Sequence, residues 1–283
     1  MDPVLFRWLA LIVALGAILV SFLLRYHRLA SLRICFILVS LLLIYKIAEI
    51  PYEISHSYYV IPYEVSHLAY YVVPLLLLSG LPGSDFASGA LSLITGVGFL
   101  LGALIRPDSL IEGMSLYETV RLLVTHELLF FVSLPLLFTI RQYSKRDYLA
   151  FLGMMAGFVI YFLLLKYRVI FPKEDFNPYS IALRVLDGSL VGYLTPDVTL
   201  GLRVLFSSFC LLLVFGIPYL LLLVSLASFK RRKSKGRVTY PFIPFTYRGG
   251  LLPLLIRCHH KGLLSKEKRY LLAGIDESLL WMR

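Results

Sequence analysis

Ionisable residues are scarce in the apolar stretches of this sequence, and those present are predicted to gather at one membrane face. The ten residues concerned are Lys46, Glu49, Glu64, His67, Arg106, Asp108, Glu118, Arg121, His126 and Glu127. A charge placed in hydrocarbon costs about 2.5 kcal/mol or more. Ionisable side chains at membrane depth are therefore typical of a functional site, and we expect these residues to mark one.

Two histidines in this set, His67 and His126, form the predicted centre of the site. A neutral imidazole can act as a general base, relay a proton or bind a ligand. It can also hydrogen-bond to a neighbouring helix and simply hold two helices together. Both interpretations stay open. The residues expected to support the two histidines are Glu64, Ser66, Arg106, Asp108, Arg121 and Glu127.

One heptapeptide occurs twice in the chain. Ile50–His56 recurs, with one conservative change, as Ile61–His67. Each copy has a Glu-x-x-His pair, which shares one face of a helix, and such pairs occur in di-metal helical bundles. Those bundles draw the pairs from separate helices, however, and here Pro51 and Pro62 are expected to disrupt regular helix. We interpret the repeat as a tandem duplication and predict neither a metal nor another cofactor.

Two shorter patterns predict local contacts. Glu118 and Arg121 have the spacing of an ion pair on one helix face. Gly96, Gly98 and Gly102 are predicted to let a neighbouring helix approach closely, and the last two form a G-x-x-x-G pattern. No Lys-Ser or Lys-Thr follows these glycines, so we do not interpret them as a phosphate-binding loop.

Seven apolar segments are predicted to position these residues. They span roughly residues 4–24, 33–49, 62–80, 87–105, 118–140, 148–168 and 203–227. The chain is 59% hydrophobic and 16% charged, which excludes a soluble domain of this length. About 20 helical residues cross a hydrocarbon core, and only the second segment is short. Because the segments lack the alternation of barrel strands, we predict an all-α bundle of about seven transmembrane helices.

Basic residues in the connections predict the orientation. They are Arg25, Arg28 and Arg33 after the first segment, Arg141, Lys145 and Arg146 after the fifth, and the run Lys230–Lys235 after the seventh. These connections share one side of the membrane, and an excess of Lys and Arg marks the cytoplasmic side. The amino terminus is then outside, and the predicted site faces the outer leaflet. We expect a multi-pass protein of the cell membrane.

The positive charge is concentrated at the end of the chain. Residues 1–228 carry 15 Lys and Arg against 14 Asp and Glu, whereas residues 229–283 carry 13 against 3. We therefore divide the chain into a seven-helix transmembrane domain, 1–228, and a basic cytoplasmic tail, 229–283, in which surface helices are plausible. The expected partners are membrane lipids, with anionic headgroups at the tail, rather than nucleic acid.

Several motifs resemble the transmembrane protein 164 family and its bacterial integral-membrane relatives. The resemblance extends over about residues 63–228. The motifs that carry it are Ser66–Leu68, Leu93–Asp108, Thr125–Glu127, Gly192–Pro196 and Gly216–Tyr219. It implies a multispan helical bundle.

The resemblance also implies a chemistry. Animal members of the family are linked to acyl transfer between lipids through a membrane cysteine and histidine. His67 is similar to the family's first histidine, in a Leu-His-Leu-Cys-like motif, and His126 is similar to the second. Ala69 stands where that motif has its cysteine, and neither Cys35 nor Cys210 takes its place. The resemblance thus supports the fold more than the acyl-transfer activity.

Three functions follow from these observations. The first is lipid-directed acyl transfer or hydrolysis in a polar pocket near the outer leaflet, with His126 as the base and Ser66 or a bound water in place of the thiol. The second is a transporter or channel for a small anion or a proton-coupled solute. The third is a non-catalytic membrane scaffold whose basic tail recruits partners.

Overall fold

The structure of the protein, a computed structural model, describes residues 1–24, 28–55, 62, 64–79, 81, 83–139, 145–167, 169, 201, 205, 208 and 212–224. Within these ranges the secondary structure is helical and contains no strand. The helices are α1 (Pro3–Leu24), α2 (Arg28–Ser55), α3 (Val65–Ser79), α4 (Ser84–Ile105), α5 (Pro107–Ile111), α6 (Leu116–Leu134), α7 (Lys145–Lys166) and α8 (Leu212–Val224). A π-helical turn, Pro135–Thr139, continues α6.

Five of these helices are long and apolar enough to cross a membrane. They are α1, α4, α7, the Arg33–Ser55 part of α2, and α6 extended to Leu137. Each has 22 or 23 residues, a length of about 33 Å in an α-helix. The apolar helices α3 and α8 are shorter. The predicted all-α, multi-pass membrane fold is thus confirmed, and each of the seven predicted segments overlaps one helix. The basic tail and the motif at 192–196 lie outside the described residues.

Helix α1 has one apolar outward side and one inward side of mostly small residues. Its outward side carries large apolar side chains that are more than half exposed, namely Leu5, Trp8, Ile12, Leu15 and Leu19. Its inward side is buried and mostly small, with Phe6, Ala10, Ala14, Ala17 and Ser21. Such an exposed apolar face is stable only beside acyl chains or a further protein surface, and the small inner face lets α1 pack closely on α4 and α6.

The central helix of the bundle is α4, which contacts α1, α3, α6 and α7. Its closest approach is to α6, because a Cβ added at Gly96 would lie 2.5 Å from the Cβ of Phe130. Gly102 meets the side chain of Leu110 in α5. A Cβ at Gly98, by contrast, would meet no atom within 4 Å among the described residues. The predicted close contacts at Gly96 and Gly102 are therefore confirmed, and the one predicted at Gly98 is wrong.

The second helix is longer than predicted. The sequence suggested an end near residue 49 and a disruption at Pro51, but α2 continues through Pro51 to Ser55. A proline costs one backbone hydrogen bond, and membrane helices tolerate that loss more readily than they tolerate an unwound backbone in lipid. As a result Glu53 belongs to α2, four residues after Glu49, and both share a face with Lys46.

Five helix termini meet at one end of the bundle. Phe6 near the start of α1 packs with Phe99 near the end of α4 and with Leu123 in the first half of α6. The end of α2 reaches the same level, because Glu49 contacts Arg121 of α6. Near the start of α3, Tyr70 contacts Thr125 and therefore also lies at this end. The residues that the sequence placed at one depth are carried on these termini.

Candidate functional site

A cluster of four charged side chains joins α2 to α6. The carboxylate of Glu49 accepts a hydrogen bond from Arg121 Nη1 at 2.6 Å on one oxygen and from Lys46 Nζ on the other. The second acid, Glu53, lies 3.9 Å from Lys46 Nζ and 3.8 Å from Arg121 Nη1. Two cations thus face two carboxylates, so that the ionised cluster has no net charge.

Two tyrosines complete the environment of Glu49. The Tyr45 hydroxyl lies 3.0 Å from Glu49 Oε1, to which it donates, and 3.2 Å from the hydroxyl of Tyr117. Glu49 therefore has three hydrogen-bond donors, which is what a carboxylate removed from water requires. Its side chain is 2% exposed, whereas that of Arg121 is 27% exposed. The cluster accordingly has a buried centre and one accessible edge, at Arg121.

The start of α6 explains why Arg121 can reach across to α2. Ser115 and Glu118 form a capping box, in which the Ser115 amide donates to Glu118 Oε2 at 2.7 Å and the Glu118 amide to the Ser115 hydroxyl at 3.2 Å. Glu118 satisfies a backbone group of the first helical turn in this way. No ion pair between Glu118 and Arg121 is present, so the prediction that these two residues pair is wrong. Arg121 binds Glu49 instead.

His126 lies further along α6, in a buried hydrogen-bonded group. Its Nδ1 is 2.9 Å from the Leu122 carbonyl oxygen, and the Tyr70 hydroxyl lies 2.8 Å from Nδ1 and 3.1 Å from Nε2. Because a carbonyl can only accept, we assign the proton to Nδ1, which leaves Nε2 as the ring nitrogen that can accept from Tyr70. The Thr125 hydroxyl lies 3.1 Å from that of Tyr70. The imidazole also stacks on Phe99 of α4, with ring centroids 4.5 Å apart.

Tyr70 connects the charged cluster to His126. Its ring lies 5.1 Å from Lys46 Nζ, the geometry of a cation–π contact, while its hydroxyl contacts His126. One contiguous arrangement on α2, α3 and α6 therefore runs from Arg121 to the imidazole. We call it the polar network, and its members are Lys46, Glu49, Glu53, Tyr70, Arg121, Thr125 and His126.

The two predicted central histidines differ in environment. His126 is buried, whereas His67 is exposed. The ring centroid of Tyr70 lies 6.1 Å from that of His67 and 5.5 Å from that of His126, so the two imidazoles are no farther apart than these distances combined. They are therefore neighbours of the same tyrosine, but no hydrogen bond of the polar network ends on His67.

The predicted supporting residues separate into three groups. Arg121 belongs to the polar network. Arg106 and Asp108 are exposed at the junction of α4 and α5, while Glu64 and Ser66 are half-buried at the start of α3. Glu127 is buried beside His126 in sequence but does not join the network: neither of its carboxylate oxygens has a hydrogen-bond partner.

Several residues of the network were missing from the predicted site. Lys46 and Glu49 belonged to the set of ionisable residues at one depth, and their i, i+3 spacing could have identified them as a pair. Tyr70 and Thr125 carry no comparable signal, because the chain has 19 tyrosines and hydroxyl side chains are common in membrane helices. Their importance follows only from the packing of α3 against α6.

The described residues offer little for thiol or metal chemistry at this site. The thiol of Cys35 is buried at a different level, 3.9 Å from the Val132 carbonyl oxygen, and Ala69 is buried beside Tyr70 in sequence. No group of three His, Cys, Asp or Glu residues in the described part of the chain could hold a metal ion. The groups available for chemistry are thus hydroxyls, an imidazole and two ion-paired carboxylates.

Comparisons with known proteins add no assignment to this geometry. No family model, no curated protein and no solved structure matches the chain.

Proposed function

We propose that this protein is a proton-coupled transporter of a small anionic solute, and that the polar network is its binding site. The observation that carries the proposal is the charge balance of the network, in which each of two cations lies within 4.0 Å of both carboxylates. An anion that enters such a site upsets the balance by one charge. Uptake of one proton restores it, and this requirement is the physical basis of coupling.

Arg121 is the proposed contact for the anion. It is the most exposed of the four charged residues, and a guanidinium binds carboxylate or phosphate oxygens through paired donors. Glu53 lies 3.8 Å from its Nη1, beyond hydrogen-bonding distance. A solute anion can therefore replace Glu53 as a counter-ion of Arg121 while Glu49 stays bound.

Tyr70 and His126 are the proposed route for the proton. The imidazole accepts from the Tyr70 hydroxyl, which is itself within hydrogen-bonding distance of Thr125. Imidazole and hydroxyl groups that are hydrogen-bonded to one another can pass a proton from one group to the next. Pro51 and Pro74 lie inside α2 and α3, the two helices that carry the network together with α6. Each proline leaves one backbone carbonyl of an otherwise continuous helix without its helical donor.

The proposal includes the topology. We propose seven spans, formed by the five long helices together with α3 and α8, with the amino terminus outside the cell and the carboxyl terminus in the cytoplasm. The loop charges support this orientation, and the tail over 229–283 then lies beside anionic headgroups of the inner leaflet. The network faces the outer side, and the membrane is the cell membrane.

Flux measurements in proteoliposomes test the proposal. Purified protein is reconstituted with a pH-sensitive dye inside, and inorganic phosphate, succinate and chloride are offered in turn under an inward proton gradient. We expect one of these probes to acidify the lumen in wild-type vesicles, and we expect Arg121→Gln to abolish the signal. Arg146→Gln, at the opposite end of the bundle, is the control and should transport like the wild type. Equal rates for wild type, Arg121→Gln and empty vesicles with all three probes exclude the proposal.

A second candidate function is lipid-directed acyl transfer or hydrolysis. The observation that favours it is the contact of a hydroxyl with an imidazole, since the Tyr70 Oη lies 3.1 Å from His126 Nε2. Both groups are buried, and no described contact joins His126 to Ser66, the nucleophile suggested by the sequence. For this reason we place acyl chemistry after transport.

Turnover of an acyl-labelled phospholipid distinguishes the two functions. If the chain is an acyltransferase or a hydrolase, wild-type protein releases or transfers the label, and His126→Ala abolishes turnover. If wild type and His126→Ala give the same distribution of label, and the wild type still carries solute across the membrane, the protein is a transporter and not an acyltransferase or hydrolase.

A further inference from the structure

Glu127 is the buried carboxyl group that the polar network leaves unused. The residue is 4% exposed, and neither Oε1 nor Oε2 has a hydrogen-bond partner. No basic side chain among the described residues lies within the 4.0 Å of an ion pair with it. His126, its neighbour in sequence, faces Tyr70 and Phe99. Because successive residues of a helix point about 100° apart, Glu127 faces a different part of the bundle.

The packing of α6 identifies the helix that Glu127 faces. Phe131 and Leu134 follow it at i+4 and i+7 and therefore share its side of α6. Both pack against a buried cluster formed by Ala14 and Ala17 of α1 together with Phe130. One turn before Glu127, Leu123 belongs to a second cluster that includes Ala10 of α1. Glu127 thus lies in the seam between α6 and the alanine face of α1.

The charges around this seam do not neutralise a carboxylate. The only charged residue within α1 is Arg7, whose Nε is buried and also lacks a hydrogen-bond partner. The only one within α4 is Asp85, in the first turn at the opposite end. On α6 itself, Arg121 is bound to Glu49, and Glu118 is part of the capping box. An ionised Glu127 would therefore be an isolated charge in hydrocarbon, at a cost of about 2.5 kcal/mol or more.

A bound cation removes that cost, and the surroundings favour a proton over a metal ion. An alkali or alkaline-earth ion needs several oxygen ligands. The face of α1 at this level presents the methyl groups of Ala10 and Ala14, which donate nothing. A proton needs only the carboxyl group itself.

We propose that Glu127 is a proton-binding site in the seam between α1 and α6, separate from the polar network. The proton is held while α1 packs on α6, and it is released when the seam admits water. His126 and Glu127 then lie on different faces of α6, one toward the polar network and the other toward α1. Its part in coupling rests on the proposed transport function, whereas the binding of the proton does not.

Infrared difference spectroscopy tests the binding directly. Full-length protein in lipid nanodiscs is compared as wild type, Glu127→Gln and Glu112→Gln, a control at an exposed glutamate after α5. At neutral pH we expect the wild type and the control to show the carbonyl band of a protonated carboxyl group, and Glu127→Gln to lack it. A wild-type spectrum without that band overturns the proposal. Loss of the band when sodium or lithium chloride is added overturns it in favour of a metal-ion site.

Two further measurements keep the test independent of folding and of transport. If Glu127→Gln does not fold, Glu127→Asp replaces it: a shifted carbonyl band supports the assignment to position 127, and an unchanged band refutes it. In proteoliposomes, Glu127→Gln should exchange solute across the membrane but fail to accumulate it against a gradient. A carbonyl band that depends on Glu127, in a protein that transports none of the probes, leaves the site in place and removes only the transport function.

Discussion

Charge balance in the polar network predicts an unusual pattern of mutant stabilities. Glu49→Gln leaves Lys46, Arg121 and Glu53, with a net charge of +1. Arg121→Gln leaves a net charge of −1. The double variant removes one charge of each sign and returns the network to neutrality. We therefore expect the double variant to be more stable than the sum of the single losses implies.

The expected magnitudes follow from the contacts that each change removes. Removing one partner of a buried ion pair costs about 3–5 kcal/mol. Glu49→Gln should lower the free energy of unfolding by about 3 kcal/mol, the lower end of this range. The reason is that Glu53 remains 3.9 Å from Lys46 Nζ and 3.8 Å from Arg121 Nη1. Arg121 is partly exposed and leaves Glu49 bound to Lys46 and Tyr45, so its loss should cost about 2 kcal/mol. The double variant should lose about 3 kcal/mol of unfolding free energy in all. This is about 2 kcal/mol less than the two single losses together, and the difference is the coupling energy between the two residues.

The free energy of unfolding, measured for purified protein in mixed micelles, provides the double-mutant cycle. Glu112→Gln, which removes a carboxylate outside the network, should change the unfolding free energy little and serves as the control. Additive losses would falsify the argument, because they mean that the four charges do not compensate one another. A double variant less stable than that sum would contradict it more strongly still.

Three other predictions concern packing, capping and the tail. Gly96→Ala should destabilise the protein by about 1–3 kcal/mol, because the added Cβ would lie 2.5 Å from Phe130. Gly98→Ala, where the added Cβ meets no atom of the described residues, should instead stabilise α4 by up to about 1 kcal/mol. Equal unfolding free energies for the two variants would refute the packing argument. Ser115→Ala should cost about 1 kcal/mol by removing the cap of α6, and an unchanged unfolding free energy would show that the cap is dispensable. Deleting residues 229–283 should reduce the anionic lipid that co-purifies with the protein, as measured by mass spectrometry, and an unchanged lipid composition would contradict the proposed role of the tail.

Hydropathy predicted the helices well because lipid leaves the backbone few alternatives. A segment of about 20 apolar residues in a membrane has to satisfy its own backbone hydrogen bonds. The path of α2 beyond residue 49 was not predictable in the same way. Proline strongly disfavours the interior of a helix, and yet α2 continues through Pro51. The six further residues of α2 matter, since they include Glu53, which lies within 4.0 Å of Lys46 and Arg121.

The candidate site was predictable in its depth but not in its contacts. Alternating helix directions place the end of α2 and the start of α6 at one level, and the sequence therefore indicated which residues could meet. Which of them do meet depends on rotation about each helix axis. The pattern Ser115-x-x-Glu118 could have identified a capping box and so released Arg121 for another partner. The exposure of His67 and the isolation of Glu127 have no counterpart in the pattern of residues.

The composition of the network argues for function over helix adhesion. Apolar residues of similar volume hold buried surfaces together as well as an ion pair does, or better, because they carry no desolvation cost. The four charged side chains also differ in exposure, in the order 27% for Arg121, 13% for Glu53, 8% for Lys46 and 2% for Glu49. Beyond Glu49 and Lys46, the aromatic ring of Tyr70 leads to the imidazole of His126. A purely adhesive contact has no need of such an order, whereas a site that receives an ion from one side and passes a proton inward requires both an open edge and a closed end.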